Sequence, residues 1–261
     1  MDLSLRGKTA LISGASQGIG KAIAVELSKL GANCILLARN TEALQSVVEA
    51  LDLSVGQSHQ FFAIDFNASD ALKKLAETIT GSHSIDILIN NTGGPSAGLI
   101  LEEAPEKFEA VFKQHVVSNQ ILTQAVVPGM KQKSWGRIIN VVSTSVRTPL
   151  DNLGVSNTIR AAVASWSKSL SNELAVHGIT VNSLLPGFIS TTRLDAVANS
   201  FAEKAHISKT EMEERMKNSV PAKRFGEPSE IAAVAAFIAS PAASYVNGIS
   251  IPVDGGRTPT I

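Results

Sequence analysis

Short runs of apolar, often β-branched residues alternate along the chain with longer amphipathic stretches, and this alternation limits the fold more than any other feature. Such runs are typical of strands in a parallel sheet, because the connecting helices cover both of its faces. The predicted strands are residues 9–13, 34–38, 61–65, 85–90, 137–142, 180–185 and 249–253. The pattern therefore predicts an α/β fold with seven parallel strands in a doubly wound sheet.

No composition break, internal repeat or flexible linker divides the 261 residues. Residues 1–261 are therefore predicted to form one domain, a length that α/β folds often reach as a single unit. Residues 190–220 interrupt the alternation with a charged, weakly apolar helical pattern. We predict that this segment forms a helical lid over a site, and a solvated excursion is the alternative.

The charge balance excludes some classes of partner. The chain has 23 Lys and Arg against 23 Asp and Glu and no long basic run, which argues against a nucleic-acid partner. A single cysteine, Cys34, excludes an intrachain disulfide, and its apolar surroundings predict a buried thiol. The start of the chain lacks a signal-peptide pattern, and the longest apolar run, 231–239, is far shorter than the roughly 20 residues that span a bilayer. We therefore expect a cytoplasmic protein with no membrane partner, and we predict no metal site.

A glycine-rich loop follows the first predicted strand and opens an amphipathic helix. Gly14 permits a tight turn, Gly18 lets the backbone approach a diphosphate, and Gly20 allows the helix to pack close to the strand. The helix N-terminus then directs unpaired N–H groups and a partial positive charge toward the phosphates. The loop therefore predicts a dinucleotide-binding site.

The end of the second predicted strand indicates which dinucleotide is bound. An acidic residue there would bind the adenosine ribose of NAD, whereas a cation accommodates a 2′-phosphate. Ala38 removes the carboxylate that would repel the phosphate, and Arg39 supplies a planar donor suited to it. The prediction is NADP(H) in preference to NAD(H). The alternative is that Arg39 is only a solvated charge at a strand end.

These features, together with four further segments, resemble the short-chain dehydrogenase/reductase family over essentially the whole chain, nearest to its 3-oxoacyl-acyl-carrier-protein reductase group. The segments are Asp65-Phe66, Asn90-Asn91-Thr92-Gly93, the stretch from Asn182 through Pro186-Gly187 to Thr191, and Asp254-Gly255-Gly256. The resemblance implies a Rossmann-type sheet and a homotetramer. It also implies that the cofactor is bound by Gly14, Ser16, Gln17, Gly18, Ile19, Gly20, Arg39, Asp65, Phe66, Asn91, Gly93, Arg160, Pro186, Gly187 and Thr191.

The catalytic residues of the family are only partly present. Members reduce a carbonyl with a Tyr as proton donor, a Lys that lowers the pKa of this Tyr and holds the ribose, a Ser that binds the carbonyl oxygen, and an Asn that anchors a water relay. Ser143 matches the Ser, but Ser156 stands at the Tyr position and Arg160 at the Lys position. The Asn position falls on His115, and the sole tyrosine, Tyr245, lies near the last predicted strand.

The usual proton transfer therefore does not carry over. The pKa of an aliphatic hydroxyl lies far above the value of about 10 for a phenol, and Ser156 is too short to replace the ring without a bridging water. Arg160 keeps a positive charge but, with a pKa above about 12, cannot shuttle protons. One alternative is that His115 feeds a water chain, although a lone His on a helix is more often a structural residue. The other is that Ser143, Ser145 and Arg160 polarise the carbonyl while water supplies the proton.

The sequence predicts an NADPH-dependent oxidoreductase that reduces a small-molecule carbonyl substrate, of the 3-oxoacyl type or another ketone, without the Tyr donor. Ser143 would orient the substrate oxygen, Arg160 would hold the nicotinamide ribose, and Ser156 or a water bound to it would stand in the donor position. Arg147 is a candidate second cation that would favour an anionic substrate, or a solvated loop charge. The alternative function is a non-catalytic NADP(H)-binding sensor or scaffold.

Overall fold

The computed structural model describes residues 1–260, and its seven strands form one parallel sheet. The strands are β1 Thr9–Ser13, β2 Asn33–Ala38, β3 His59–Ala63, β4 Ile87–Asn90, β5 Gly136–Val141, β6 Ile179–Pro186 and β7 Ser250–Val253. Their order across the sheet is β3-β2-β1-β4-β5-β6-β7. The predicted doubly wound, Rossmann-type α/β architecture is confirmed.

Helices cover both faces of this sheet. They are α1 Gly18–Lys29, α2 Thr41–Glu49, α3 Ser69–Ser82, α4 Pro105–Phe112, α5 Ser118–Gln132, α6 Gly154–Leu174, α7 Thr192–Ala205, α8 Lys209–Asn218 and α9 Pro228–Ala239. Successive strand residues point to opposite faces, so Ile12 and Leu36 pack with α1, α2 and α9, while Leu11 and Leu37 pack with α3 and α5. Truncating one of these fully buried leucines to alanine should cost about 2–5 kcal/mol.

The third strand is the one that the sequence predicted least well. It occupies His59–Ala63 rather than residues 61–65, because His59 and Gln60 pair with Cys34 and Ile35 at the sheet edge. An edge strand is half exposed, so its first residues need not be apolar. The carboxylate of Asp65 instead accepts a hydrogen bond from the Asn67 N–H at 2.9 Å in the turn that follows.

The single cysteine lies in β2, within the core on the α1 side. Cys34 is completely buried, and burial raises the pKa of its thiol to about 12. The prediction of a buried thiol is confirmed.

The strand order reverses between β1 and β4, and in doubly wound sheets ligands bind beyond the carboxyl ends of the strands at this point. Helices α7 and α8 follow β6 at the same edge and occupy most of the predicted 190–220 segment. Over residues 1–260, none of the helices has the length and apolar character needed to cross a membrane. The same residues contain no group of three or more His, Cys, Asp or Glu side chains arranged to hold a metal ion.

Candidate active site

The glycine loop is fastened to the strand on the other side of the switch point. The amide of Asn91, just after β4, donates to the Gly14 carbonyl oxygen at 3.2 Å, and the Asn91 N–H donates to the Ser13 hydroxyl at 2.8 Å. Gly14 has a left-handed φ of 60°, and a Cβ there would overlap the Asn91 backbone. A Cβ on Gly20 would overlap the Gly14 carbonyl. Only glycine therefore lets strand, loop and helix approach this closely.

The first turn of α1 offers free N–H donors to a phosphate group. The N-cap residue, Gln17, is exposed and extended, its side chain does not cap the helix, and the first turn contains no acidic residue. Ser16 is half-buried in the loop, while Ile19 packs against the core and fixes the start of the helix. These contacts fit a diphosphate at the helix N-terminus.

The adenosine side of the predicted site lies at the ends of β2 and β3. Arg39 is exposed directly after β2, and within the described residues its guanidinium makes no ion pair. Asp65 is exposed, whereas the Phe66 side chain is buried in the core next to α3. Arg39 is thus free to meet a phosphate, but Phe66 could contact a ligand only through its backbone.

The end of β6 forms the opposite wall of the predicted cofactor site. Pro186 is the last strand residue, and the Gly187 N–H donates to the Val253 carbonyl at 3.1 Å, which holds the following loop against β7. Thr191 is the N-cap of α7, where its hydroxyl accepts from the Leu194 N–H at 3.3 Å. The Thr191 methyl lies 3.3 Å from the place where a Cβ on Gly18 would stand, so this segment closes onto the glycine loop.

Ser143 stands where β5 ends. Its hydroxyl oxygen accepts from the Ser145 N–H at 3.1 Å, which leaves the hydroxyl proton available to an oxygen of a ligand. Ser145 is buried, and its own hydroxyl has no partner among the described residues. Two hydroxyl groups therefore lie on one short turn at the carboxyl edge of the sheet.

A buried polar network fixes the strands below this turn. The Asn90 amide of β4 donates to the Asn140 side-chain oxygen of β5 at 2.9 Å, and the Asn140 amide donates to the Ser167 hydroxyl of α6 at 3.0 Å. The Ser183 hydroxyl of β6 donates to the same Ser167 oxygen at 3.2 Å. Hydrogen bonds of this kind rigidify a core, so the residues above them are held in fixed relative positions.

His115 is buried in a π-helical turn, Lys113–Val117, between α4 and α5. Its Nε2 lies 3.2 Å from the Gly93 carbonyl, which can only accept, so Nε2 carries the proton. The Thr92 hydroxyl, 2.6 Å from Nδ1, then donates to the neutral ring. Burial, and secondarily the charge of Arg160, lower the pKa of His115 well below its usual range. Both ring nitrogens are occupied, which favours the structural alternative over a proton relay.

Arg160 connects the ends of the two central strands. One guanidinium nitrogen donates to the Val141 carbonyl at 2.8 Å and another to the Thr92 carbonyl at 3.2 Å. Burial, and then the charge of Arg193, lower the pKa of Arg160 to about 10, so the group is still a cation at neutral pH. His115, Thr92 and Arg160 thus form one connected set of hydrogen bonds at the carboxyl ends of β4 and β5.

Ser156 and the only tyrosine have different surroundings. Ser156 is half-buried one helical turn before Arg160 on α6, which packs against the turn that carries Ser143. Tyr245 is fully exposed. It precedes β7, and its neighbour Asn247 accepts from the Val181 N–H near the start of β6. Tyr245 therefore lies at the opposite edge of the sheet from Ser143 and cannot replace the missing donor.

Two residues at this site escaped the sequence reasoning. Thr92 was visible in the Asn90-Asn91-Thr92-Gly93 segment, but its side chain had no assigned role until His115 was placed beside it. Arg193, on α7, donates to the Pro95 carbonyl in the loop after β4. The second cation at the site is therefore Arg193, whereas the exposed Arg147 reaches the Ser250 carbonyl of β7 at 3.4 Å. Only the tertiary fold reveals which arginine approaches Arg160.

A short-chain dehydrogenase family model, described as enoyl-(acyl carrier protein) reductase, matches residues 14–258. The chain belongs to the short-chain dehydrogenase/reductase family. This match begins in the glycine loop, directly after β1, and ends beyond the last strand, so it includes the candidate site from Gly14 onward.

Within the short-chain dehydrogenase/reductase family, the chain is similar to the NADPH-dependent reductase BacG of Bacillus subtilis (strain 168). The two are 36% identical over 259 residues, which cover 97% of this chain and 99% of that protein. The 3-oxoacyl-acyl-carrier-protein reductase FabG of Vibrio cholerae is 35% identical over 257 residues, covering 97% and 98%. The structure of L-sorbose reductase from Gluconobacter frateurii, complexed with NADPH and L-sorbose, is similar with a TM-score of 0.92 at 32% identity, covering 100% of both chains.

Proposed function

We propose that the chain is an NADPH-dependent reductase of a carbonyl substrate, of the 3-oxoacyl type or another ketone, that works without a tyrosine proton donor. The observation that carries this proposal is the placement of a free Ser143 proton and the cation of Arg160 at neighbouring strand ends. The names of its relatives support the reaction class, since BacG is an NADPH-dependent reductase and FabG a 3-oxoacyl-acyl-carrier-protein reductase.

The residues present fit NADP(H). The close-packed Gly14 and Gly20, the uncapped start of α1 and the Thr191 segment would hold the diphosphate. The unpaired, exposed Arg39 would bind the 2′-phosphate, because a guanidinium matches a phosphate with two parallel hydrogen bonds. When bound, the nicotinamide supplies the hydride, so the chain itself has to bind, orient and protonate the substrate.

Ser143 is the residue that orients the substrate oxygen. Because its oxygen already accepts from the Ser145 N–H, its own proton is available to donate to the substrate. The Ser145 hydroxyl lies on the same turn, but it is buried and has no partner among the described residues. Hydrogen-bond donors fixed before the reaction stabilise the negative charge that develops on an oxygen, and losing one costs about 10²–10³ in turnover.

Arg160 contributes charge rather than a proton. The carbonyls of Val141 and Thr92 fix its guanidinium, which would hold the nicotinamide ribose and stabilise negative charge on the substrate oxygen. A group with a pKa of about 10 that is tied to two carbonyls is a poor proton donor at neutral pH. In this proposal the proton comes from water hydrogen-bonded to Ser156, and His115 keeps the loop at Thr92 in place.

The two helices after β6 act as the lid in this proposal. Arg193 of α7 donates to the Pro95 carbonyl, and Lys204 of the same helix lies 3.4 Å from the Asn152 side-chain oxygen in the loop before α6. Both contacts join α7 to loops at the carboxyl edge of the sheet, which supports a place for α7 over Ser143 and Arg160 in this proposal.

The test is a turnover assay of the purified protein with NADPH and a panel of ketones, β-ketoacyl thioesters and quinones, followed by nicotinamide absorbance. We expect consumption of NADPH with at least one class. Ser143→Ala should lower turnover about 10²-fold while NADPH affinity stays within about twofold. Unchanged turnover in Ser143→Ala would remove Ser143 from this role. NADPH binding without turnover of any substrate would favour the non-catalytic sensor or scaffold, for which the altered Ser156 and Arg160 positions also argue.

A further inference from the structure

Two cations meet at the mouth of the site without an acidic partner. A Cβ placed on Gly94 would lie 3.5 Å from a guanidinium nitrogen of Arg160 and 3.5 Å from one of Arg193. The two nitrogens are therefore separated by at most about twice that distance. Within residues 1–260, neither arginine forms a salt bridge, and each donates only to backbone carbonyls.

The nearby acids are already paired with other cations. Asp195, two residues beyond Arg193, lies 2.9 Å from Lys209, and Glu103 in the loop after β4 lies 2.5 Å from Lys107. The charge of the arginine pair is thus uncompensated. Burial lowers the pKa of both arginines, and the charge of Arg193 lowers that of Arg160 further. Holding two like charges in a partly buried position costs free energy unless an anion lies between them.

We infer that Arg160 and Arg193 form a carboxylate-binding subsite, and that the substrate of this reductase is an oxo acid whose carboxylate lies close to the reacting carbonyl. This inference rests on the proposed function for the reaction, but the anion site itself does not require turnover. Arginine suits the role because its planar donors match a carboxylate through two hydrogen bonds.

The diphosphate of the cofactor is the other possible source of an anion. The glycine loop at Gly18 and the N-cap Thr191 already form its place on the α1 side of the cleft. Arg193 instead reaches across to Pro95, on the loop that continues from Gly93, and the Thr92 carbonyl holds Arg160 on that same side. The arginine pair therefore belongs to the β4 side of the cleft, where Ser143 and Arg160 would receive the substrate.

The same loop suggests the rest of the substrate. Leu99, Ile100 and Leu101 are 48%, 56% and 95% exposed, and the adjoining Gly98 pairs with Leu153 just before α6. An apolar segment on the same loop as Gly94 and Pro95, which the two cations approach, fits a substrate with a carboxylate at one end and an apolar group at the other. Benzoylformate has this combination, and its methyl ester replaces the negative charge with a single added methyl group.

The experiment measures binding of benzoylformate and methyl benzoylformate to the NADPH-saturated protein by titration calorimetry. Because hydrogen bonds to charged groups are stronger than those to neutral groups, we expect the acid to bind at least about tenfold more tightly than the ester. Arg193→Met should reduce this ratio to near one while the NADPH dissociation constant changes less than about twofold. Arg215→Met serves as the matched control, since Arg215 is an exposed arginine of α8 paired with Glu211, and it should keep the wild-type ratio.

Each outcome decides the matter. Equal affinities of acid and ester in the wild-type protein, or an unchanged ratio in Arg193→Met, would overturn the carboxylate subsite. A fall in NADPH affinity in Arg193→Met would also overturn it and assign the pair to the diphosphate. An Arg193-dependent preference for the acid without any turnover would uphold the subsite and reject the proposed reductase activity, so the two failures are distinguishable.

Discussion

The buried His115 should make the stability of the protein depend on pH in a way that one substitution removes. Unfolded, the imidazole has a pKa of about 6.5. Folded, burial and the charge of Arg160 hold its pKa well below that value. Between these two values the unfolded chain binds a proton that the folded chain does not, so the free energy of unfolding falls as the pH decreases.

The size of this effect follows from the linkage relation. Above pH 7 the loss of unfolding free energy caused by His115 is negligible. At pH 5.5, about one unit below the pKa of the unfolded imidazole, this loss reaches about 1.4 kcal/mol. We therefore expect the wild-type free energy of unfolding to drop between pH 7.5 and 5.5 by about 1.4 kcal/mol more than that of His115→Asn. Urea unfolding at the two pH values, with the slope on denaturant checked for constancy, measures the difference.

The matched control is His206→Asn. His206 is exposed, and its left-handed φ of 53° is a conformation that asparagine tolerates. Between pH 7.5 and 5.5, the free energy of unfolding of this variant should fall by as much as that of the wild-type protein. If the wild-type protein and His115→Asn instead lose equal stability, the imidazole takes up its proton in the folded state near neutrality, as a proton relay would require, and the structural role inferred from Thr92 and Gly93 is wrong.

Three further predictions concern the donor, the cofactor and the assembly. Ser156→Tyr combined with Arg160→Lys restores the residues that the family resemblance calls for. The restored general acid should raise ketone turnover at least about tenfold in the nicotinamide absorbance assay. No gain in turnover would show that the missing donor does not limit the rate. Arg39→Asp should weaken NADPH binding about 10²-fold and leave NADH binding nearly unchanged by calorimetry; equal losses would contradict the 2′-phosphate assignment. Light scattering should give about four times the 27.4 kDa chain mass, as the predicted homotetramer requires, and a mass of one chain would contradict it.

Much of the fold was predictable because buried parallel strands leave a strong local pattern. Leu36 and Leu88 lie in runs that are apolar on both faces, and the structure places strands there. The polar His59 and Gln60 leave no such pattern, since an edge strand is half exposed, and the start of β3 was therefore missed. Periodicity also gives no warning of the π-helical turn around His115, because a single turn of five residues is too short to show a period of its own.

The candidate site was less predictable, since it depends on contacts between distant segments. Ser143, Ser156 and Arg160 could be placed from their spacing along the chain, and the structure brings them to one edge of the sheet. The pairing of Arg160 with Arg193 joins residues on α6 and α7, and no local pattern distinguishes Arg193 from the exposed Arg147. The hydrogen-bond partners of His115 likewise could be assigned only once the position of Thr92 was known.

The hydrogen bonds from Asn91 tie together two parts of the molecule that serve different ends of a dinucleotide. Its side chain holds the loop where the diphosphate would rest, and its backbone continues directly into Thr92 and Gly93, beside the reacting end. The turn at Gly14 and the segment at Thr92 are therefore joined through one residue, Asn91. In the proposed complex, a change in the contacts of the phosphates would be transmitted to the reacting end, so cofactor affinity and substrate geometry would be interdependent.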